Sequence, residues 1–238
     1  MEAICKSAVI QKAEAPDEGE LALINAQALR PLTADGVFTF KLAACDTQVD
    51  RDFERFTDRA LAQMAKLYVG KPVLRDHRWN NGSQTARVYA AGVKADGEVK
   101  RLVLRCYMPR TEGTAETVAA IESGVIRECS VGVAAGSATC SICGANQMSA
   151  MCRHNPGREY DGKLCHFDLD DIKDAYEVSL VAVPAQPEAG VIKSKRYGGE
   201  APPLDGGTVP DSGTATASKM LRLAKARLEL EKIRYGGI

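Results

Sequence analysis

An α+β domain built on a mainly antiparallel sheet is what the patterning of this 238-residue chain implies. Several stretches alternate apolar and polar residues with the period of two that marks a half-buried strand. Two of them are joined by Asp96-Gly97, a dipeptide suited to the positive φ angles of a tight hairpin. Stretches of helical spacing lie between the strands, but without the regular alternation of strand and helix that a doubly wound parallel sheet requires.

Residues 1–35 are acidic around APDEGE and poor in periodicity, which predicts a mobile or loosely packed N-terminal arm. The main domain is expected over 36–192. VFTFKLAA (37–44) reads as its first strand and DTQVDRDFERF as a polar loop. TDRALAQMAKLY then places Leu61, Met64, Ala65 and Tyr68 at helical spacing, with Thr57 as N-cap and Gly70 just past the end. Pro72 opens the strand that is expected to deliver His77. ARVYAAGVKA and EVKRLVLRCYM form the hairpin about Asp96-Gly97, and TAETVAAIESG is a short helix ended by Gly124.

Two further strands carry polar residues on one side only. In IRECSVGVAA, Cys129, Val131, Val133 and Ala135 face one way while Glu128, Ser130 and Gly132 face the other. In YEVSLVAV, Tyr176, Val178, Leu180 and Ala182 share a side opposite Glu177 and Ser179, and Pro184 stops the ladder because it has no N–H to donate. The segment 193–217 is rich in Gly, Pro, Ser and Thr and predicts a flexible linker. Leu223, Ala226, Leu230 and Ile233 give 218–238 the stripe of an amphipathic C-terminal helix, suited to docking or a short coiled coil.

A hydroxyl, an imidazole and a carboxylate on separate elements are the parts that an activated serine nucleophile needs. His154 and His166, two of the three histidines, sit among clustered cysteines, which leaves His77 for acid–base work. Ser130 and Glu177 supply the other two parts, and Gly132 would let a substrate backbone come close. The bland alternative for Glu177 is an ion pair with an arginine such as Arg127.

The cysteines carry a second signal. Cys140 and Cys143 form a CxxC knuckle, and Cys152 and His154 follow as a CxH pair, so four soft or borderline ligands suit tetrahedral zinc. With all four positions filled by protein, such an ion is structural, and it would brace an insertion over 138–167. Cys165 and His166 are spares. Cys5, Cys45, Cys106 and Cys129 read as ordinary thiols, and catalysis needs no cofactor.

Lys+Arg and Asp+Glu number 31 each, so no global charge steers the chain to nucleic acid or to an anionic membrane. No apolar run of membrane-spanning length or secretory leader is apparent, which predicts a cytoplasmic protein.

The motifs GKPVLRDHRW, NNGSQTARVYAAGV, IRECSVGV and EVSLVAVPAQPEAG, in this order, resemble the prohead (capsid maturation) serine proteases of tailed phages, whose fold is related to that of the herpesvirus proteases. The resemblance runs from about Val37 to Ala189. It implies a small, closed, barrel-like sheet with surrounding helices, Ser130 as nucleophile, His77 as general base and Glu177 as third member. Herpesvirus relatives use a second histidine in that third role, so His166 stays an alternative there. The implied substrates are phage scaffold and major capsid proteins inside the assembling prohead, in the cytoplasm of the bacterial host, with homo-oligomerisation open. A catalytically inactive assembly or scaffolding protein with the same fold is the rival expectation.

Overall fold

The computed structural model describes residues 15–186 and 189–191. The first 14 residues of the expected arm, the linker 193–217 and the helix 218–238 lie outside the described residues. The chain forms helix α1 (Glu18–Asn25), strands β1 (Val37–Asp46) and β2 (Glu54–Phe56), helix α2 (Asp58–Leu67) and strand β3 (Pro72–Arg75). The hairpin of β4 (Ala86–Asp96) and β5 (Val99–Pro109), helix α3 (Glu112–Glu122) and strand β6 (Cys129–Cys140) follow. Short strands β7 (Glu159–Tyr160) and β8 (Lys163–Leu164) precede the long β9 (Phe167–Leu180) and β10 (Gly190–Val191).

The fold is α+β, with a mixed, mostly antiparallel sheet. Among the described residues, eight strands join it in the order β10-β1-β5-β4-β3-β9, with β6 along the far edge of β9. Strands β2 and β3 share the near edge of β9, each running parallel to it at opposite ends. The sheet does not close into the barrel that the family resemblance implies. Among the described residues, an isolated bridge, Glu128 opposite Gly190, is what links the start of β6 to β10. Past Val181, whose N–H reaches Glu128, the chain runs into Pro184, which cannot donate to a ladder.

The local signals explain most elements. Gly97 takes a φ of 63° in the β4–β5 turn. Thr57 caps α2 by accepting the Ala60 N–H at 3.1 Å, and the apolar stripe of α2 buries Ala60, Leu61 and Met64. These pack with Phe38, Phe40 and Leu42 of β1, Leu102 and Leu104 of β5, and Val178 of β9 in the main core. Helix α3 adds Val118 and Ile121. Residues 15–35 depart from the loose arm expected of them: α1 buries Ile24 against Val37, Tyr89 and Tyr107, on a second, smaller cluster. Glu20 of α1 accepts from the Tyr89 hydroxyl at 2.9 Å and from Arg105 at 3.1 Å. These partners are remote in sequence, so local periodicity carries no sign of them.

The loop into β2 gathers carboxylates. Asp50 Oδ1 accepts the backbone N–H groups of Asp52 and Glu54, both at 2.9 Å, and Phe53 between them has a φ of 59°. Burial, and then the charges of Asp50 and Asp52, push the Glu54 carboxyl from its ordinary 4.5 up to about 7. Folded Glu54 therefore holds its proton more tightly than the unfolded chain does. Its contribution to stability is full below about pH 4.5 and is lost as pH rises through 7. Glu54→Gln, which stays neutral, is expected to melt above the parent at pH 8 and to show no such advantage at pH 4.5. Equal differences in melting temperature at the two pH values would contradict this.

Candidate active site and metal centre

Three adjacent strands align their side chains. Val73, Val178 and Val131 lie side by side in register on the core face of β3, β9 and β6. One residue further, Leu74, Ser179 and Ser130 lie side by side on the opposite face, and Gly132 stands across from Glu177. The period-2 reading of β6 and of Val178 and Leu180 thus gives the observed faces. Tyr176 departs from it. The ladder pairs Gly132 with Glu177 but Val133 with Ala175, so Tyr176 is the extra residue of a β-bulge. It turns out to solvent, while Ala175 and Val178 fill the core.

His77 is not on a strand. β3 ends at Arg75, and Asp76 and His77 both adopt left-handed backbone, with φ of 54° and 52°. Such a conformation costs on the order of 1–3 kcal/mol for a residue other than glycine. Two bonds to β9 hold it: Asp76 N–H donates to Leu180 O, and His77 N–H donates to Ser179 Oγ, both at 3.0 Å. The chain hooks back over β9, and His77 Nδ1 meets Glu177 Oε1 at 2.8 Å. The Ser179 hydroxyl donates to the other oxygen, Oε2, at 2.5 Å.

Glu177 is only 2% exposed, whereas the His77 side chain is 42% exposed. A buried carboxylate needs both oxygens matched, and here both are. Gly132 has a different use from the one its sequence context suggests: a Cβ there would stand 2.5 Å from Glu177 Oε1, so its missing side chain is the space that the carboxylate fills. Tyr68, just past α2, is buried beneath this pair, and its hydroxyl lies 3.1 Å from Glu177 O and 3.3 Å from Gly132 O. Burial pushes the Tyr68 phenol well above its ordinary range, and the nearby Cys45 and Glu177 add to the effect.

The structure therefore brings His77 and Glu177 into contact and sets Ser130 on the same face, one strand across, opposite Ser179. No hydrogen bond joins Ser130 to His77. Arg127, the other partner considered for Glu177, pairs with Glu128 at 3.4 Å instead. His166 lies at the far end of β9, roughly 30 Å from Glu177 along an extended strand, where its Nε2 stands 3.4 Å from Asp168. Ser179 and Tyr68 are the participants that sequence reasoning passes over. The signal for Ser179 is its place two residues from Glu177 on the same face.

The cysteine cluster sits where β6 ends. Cys140 N–H donates to Ala145 O and Gly144 N–H donates to Cys140 O, both at 2.9 Å, with Gly144 at a φ of 73°, so the CxxC segment folds into a tight knuckle. The donor atoms of Cys140, Cys143, Cys152 and His154 lie within 4.8 Å of one another. His154 Nδ1 is buried without a hydrogen-bond partner, and Gln147 Nε2 points at Cys152 Sγ from 2.9 Å, as an N–H does toward a thiolate ligand. Residues of these types in this arrangement fit a bound metal ion. Burial pushes the Cys140 thiol up, but hydrogen bonds from the Cys143 and Ile142 N–H groups and from the Cys152 and Cys143 thiols together outweigh it, so Cys140 titrates below an ordinary thiol. Cys165, 3.9 Å from Cys140, is pushed up to about 11 by burial and by Cys140 itself.

Gly132→Ala is expected to destabilise the domain by about 1–3 kcal/mol, since the added methyl has no room beside Glu177. The midpoint of chemical denaturation measures it, and a variant as stable as the parent would show that the strands part to make space. No family model, curated protein or solved structure matches this chain.

Proposed function

We propose that the chain is a serine endopeptidase of the prohead-maturation kind, acting on scaffold and major capsid protein segments inside an assembling phage particle. The observation that carries this reading is the His77–Glu177 contact at 2.8 Å, on the sheet face that also carries Ser130. With Nδ1 donating to Glu177, Nε2 is the nitrogen left to take a proton. Ser130 Oγ attacks the scissile carbonyl carbon as its proton passes to His77 Nε2, and the imidazolium returns that proton to the leaving amine. Water, deprotonated by the same nitrogen, then opens the Ser130 ester and restores the serine. Glu177 keeps its charge throughout, fixing the tautomer and stabilising the imidazolium. The absence of a Ser130–His77 hydrogen bond suits the rival reading, an inactive assembly protein, but such bonds are often long before substrate is bound.

Ser130→Ala and His77→Ala are each expected to abolish cleavage of scaffold and of the chain itself while leaving the fold intact, with a lower melting temperature in His77→Ala because the buried Glu177 loses one of its two partners. The double variant should be no worse than either single one, because the pair acts as a unit. Glu177→Gln should lower turnover by at least about tenfold, yet less than loss of the base. Fluorophosphonate labelling of the parent, absent in Ser130→Ala, reports the nucleophile directly. Retained cleavage in purified Ser130→Ala overturns the proposal.

Cys140, Cys143, Cys152 and His154 would hold one structural zinc ion, which supplies no step of catalysis and braces the segment between β6 and β9. Protein purified without chelators under reducing conditions should contain about one zinc per chain. Chelation should lower its melting temperature, as should Cys152→Ser. Elemental analysis finding no zinc defeats the assignment.

A further inference from the structure

A cleft of about 350 Å³ opens beside Glu177. Pro72 and Leu74 of β3 line it, together with Trp79 and Tyr176, whose ring centroids are 5.3 Å apart at an interplanar angle of 51°. Trp79, the only tryptophan in the sequence, is 57% exposed and Tyr176 is 41% exposed. Exposed tryptophan and tyrosine flanking a concavity are the composition of a binding hot spot. The bulge in β9 makes the cleft possible, because it turns Tyr176 to the side that Glu177 already faces.

The charged groups that line this cleft, Lys71 and Glu177, are already matched. Lys71 Nζ is 3.1 Å from Asp174, the Glu177 oxygens are taken by His77 and Ser179, and Gln84 Nε2 donates to Asn81 Oδ1 at 3.2 Å. A ligand here meets ring faces and aliphatic surface, with no uncompensated charge to attract an acid or a base. The volume is near the lower end for ligand pockets, which suits a single side chain better than a cofactor. Strands β3 and β6 flank β9 at ~4.8 Å spacing, so the cleft lies about 10 Å from Ser130, or about three residues of extended peptide.

We infer that this cleft is a substrate subsite for an aromatic side chain of an extended peptide, about three residues from the bond that is cut. The inference rests on the serine-peptidase reading and names the substrate feature recognised. Profiling cleavage of a proteome-derived peptide library by the full chain should show Phe, Tyr or Trp enriched at one position two to four residues from the cut. Trp79→Ala and Tyr176→Ala should each flatten that enrichment and raise KM for an aromatic peptide by about tenfold or more, with kcat within about twofold. Trp79→Phe should keep the preference. A profile without aromatic enrichment, or one that both alanine variants leave unchanged, overturns the subsite.

A second measurement needs no turnover. The emission of Trp79 in the Ser130→Ala protein should shift saturably with N-acetyl-phenylalanine amide and not with the alanine analogue, and adding Tyr176→Ala should remove the shift. Absence of cleavage with this shift intact refutes the peptidase reading alone. Absence of the shift refutes the subsite.

Discussion

One buried carboxylate organises this end of the molecule. Glu177 is held in the sheet interior with both oxygens bonded, and nearly every irregular feature nearby serves that arrangement. Gly132 leaves out a side chain, β9 bulges at Tyr176, and two residues after β3 turn left-handed. Hydrogen bonds to a charged group contribute about 1.5–3 kcal/mol each, and a left-handed residue costs about 1–3. The two bonds to Glu177 are therefore of the size needed to offset the strained turn at Asp76 and His77. Removing one partner of a buried charge is correspondingly severe, about 3–5 kcal/mol.

How much of this can be read in the sequence follows a physical line. The β4–β5 hairpin, helices α2 and α3 and the two faces of β6 are set by neighbours within a few residues, and all appear where period and capping place them. The left-handed turn is invisible because no glycine marks it: the atoms that hold it are on Ser179 and Leu180, a hundred residues on. Tyr176 is misread for a similar reason, since a strict period of two assumes that the partner strand keeps register. The parallel pairing of β2 and β3 with β9 also depends on contacts far apart in the chain, and their short strands carry little pattern of their own.

The cysteine cluster is tied to the same ladder. Cys140, the last residue of β6, stands opposite Phe167, the first of β9, so the chain leaves and returns at one rung. The segment between them folds on itself through the β7–β8 hairpin, turned by Asp161 and Gly162, both at positive φ. Gly157 lies so close to the Phe53 ring that a Cβ would come within 2.6 Å of it, which seats the segment on the loop before β2. A metal-bound knuckle at this rung would limit fraying of the strand pair from the end opposite to Ser130 and Glu177.

The central place of β9 bears on the order of events during synthesis. Its two edges accept β2, β3 and β6, and it leaves the ribosome after all of them. His77 and Glu177 are 100 residues apart, a lag of about 5–20 s at ~5–20 residues per second of translation. Until β9 docks, the imidazole has no carboxylate and the turn that carries it has no anchor. The nascent chain thus passes that interval partly folded, with this pair unassembled.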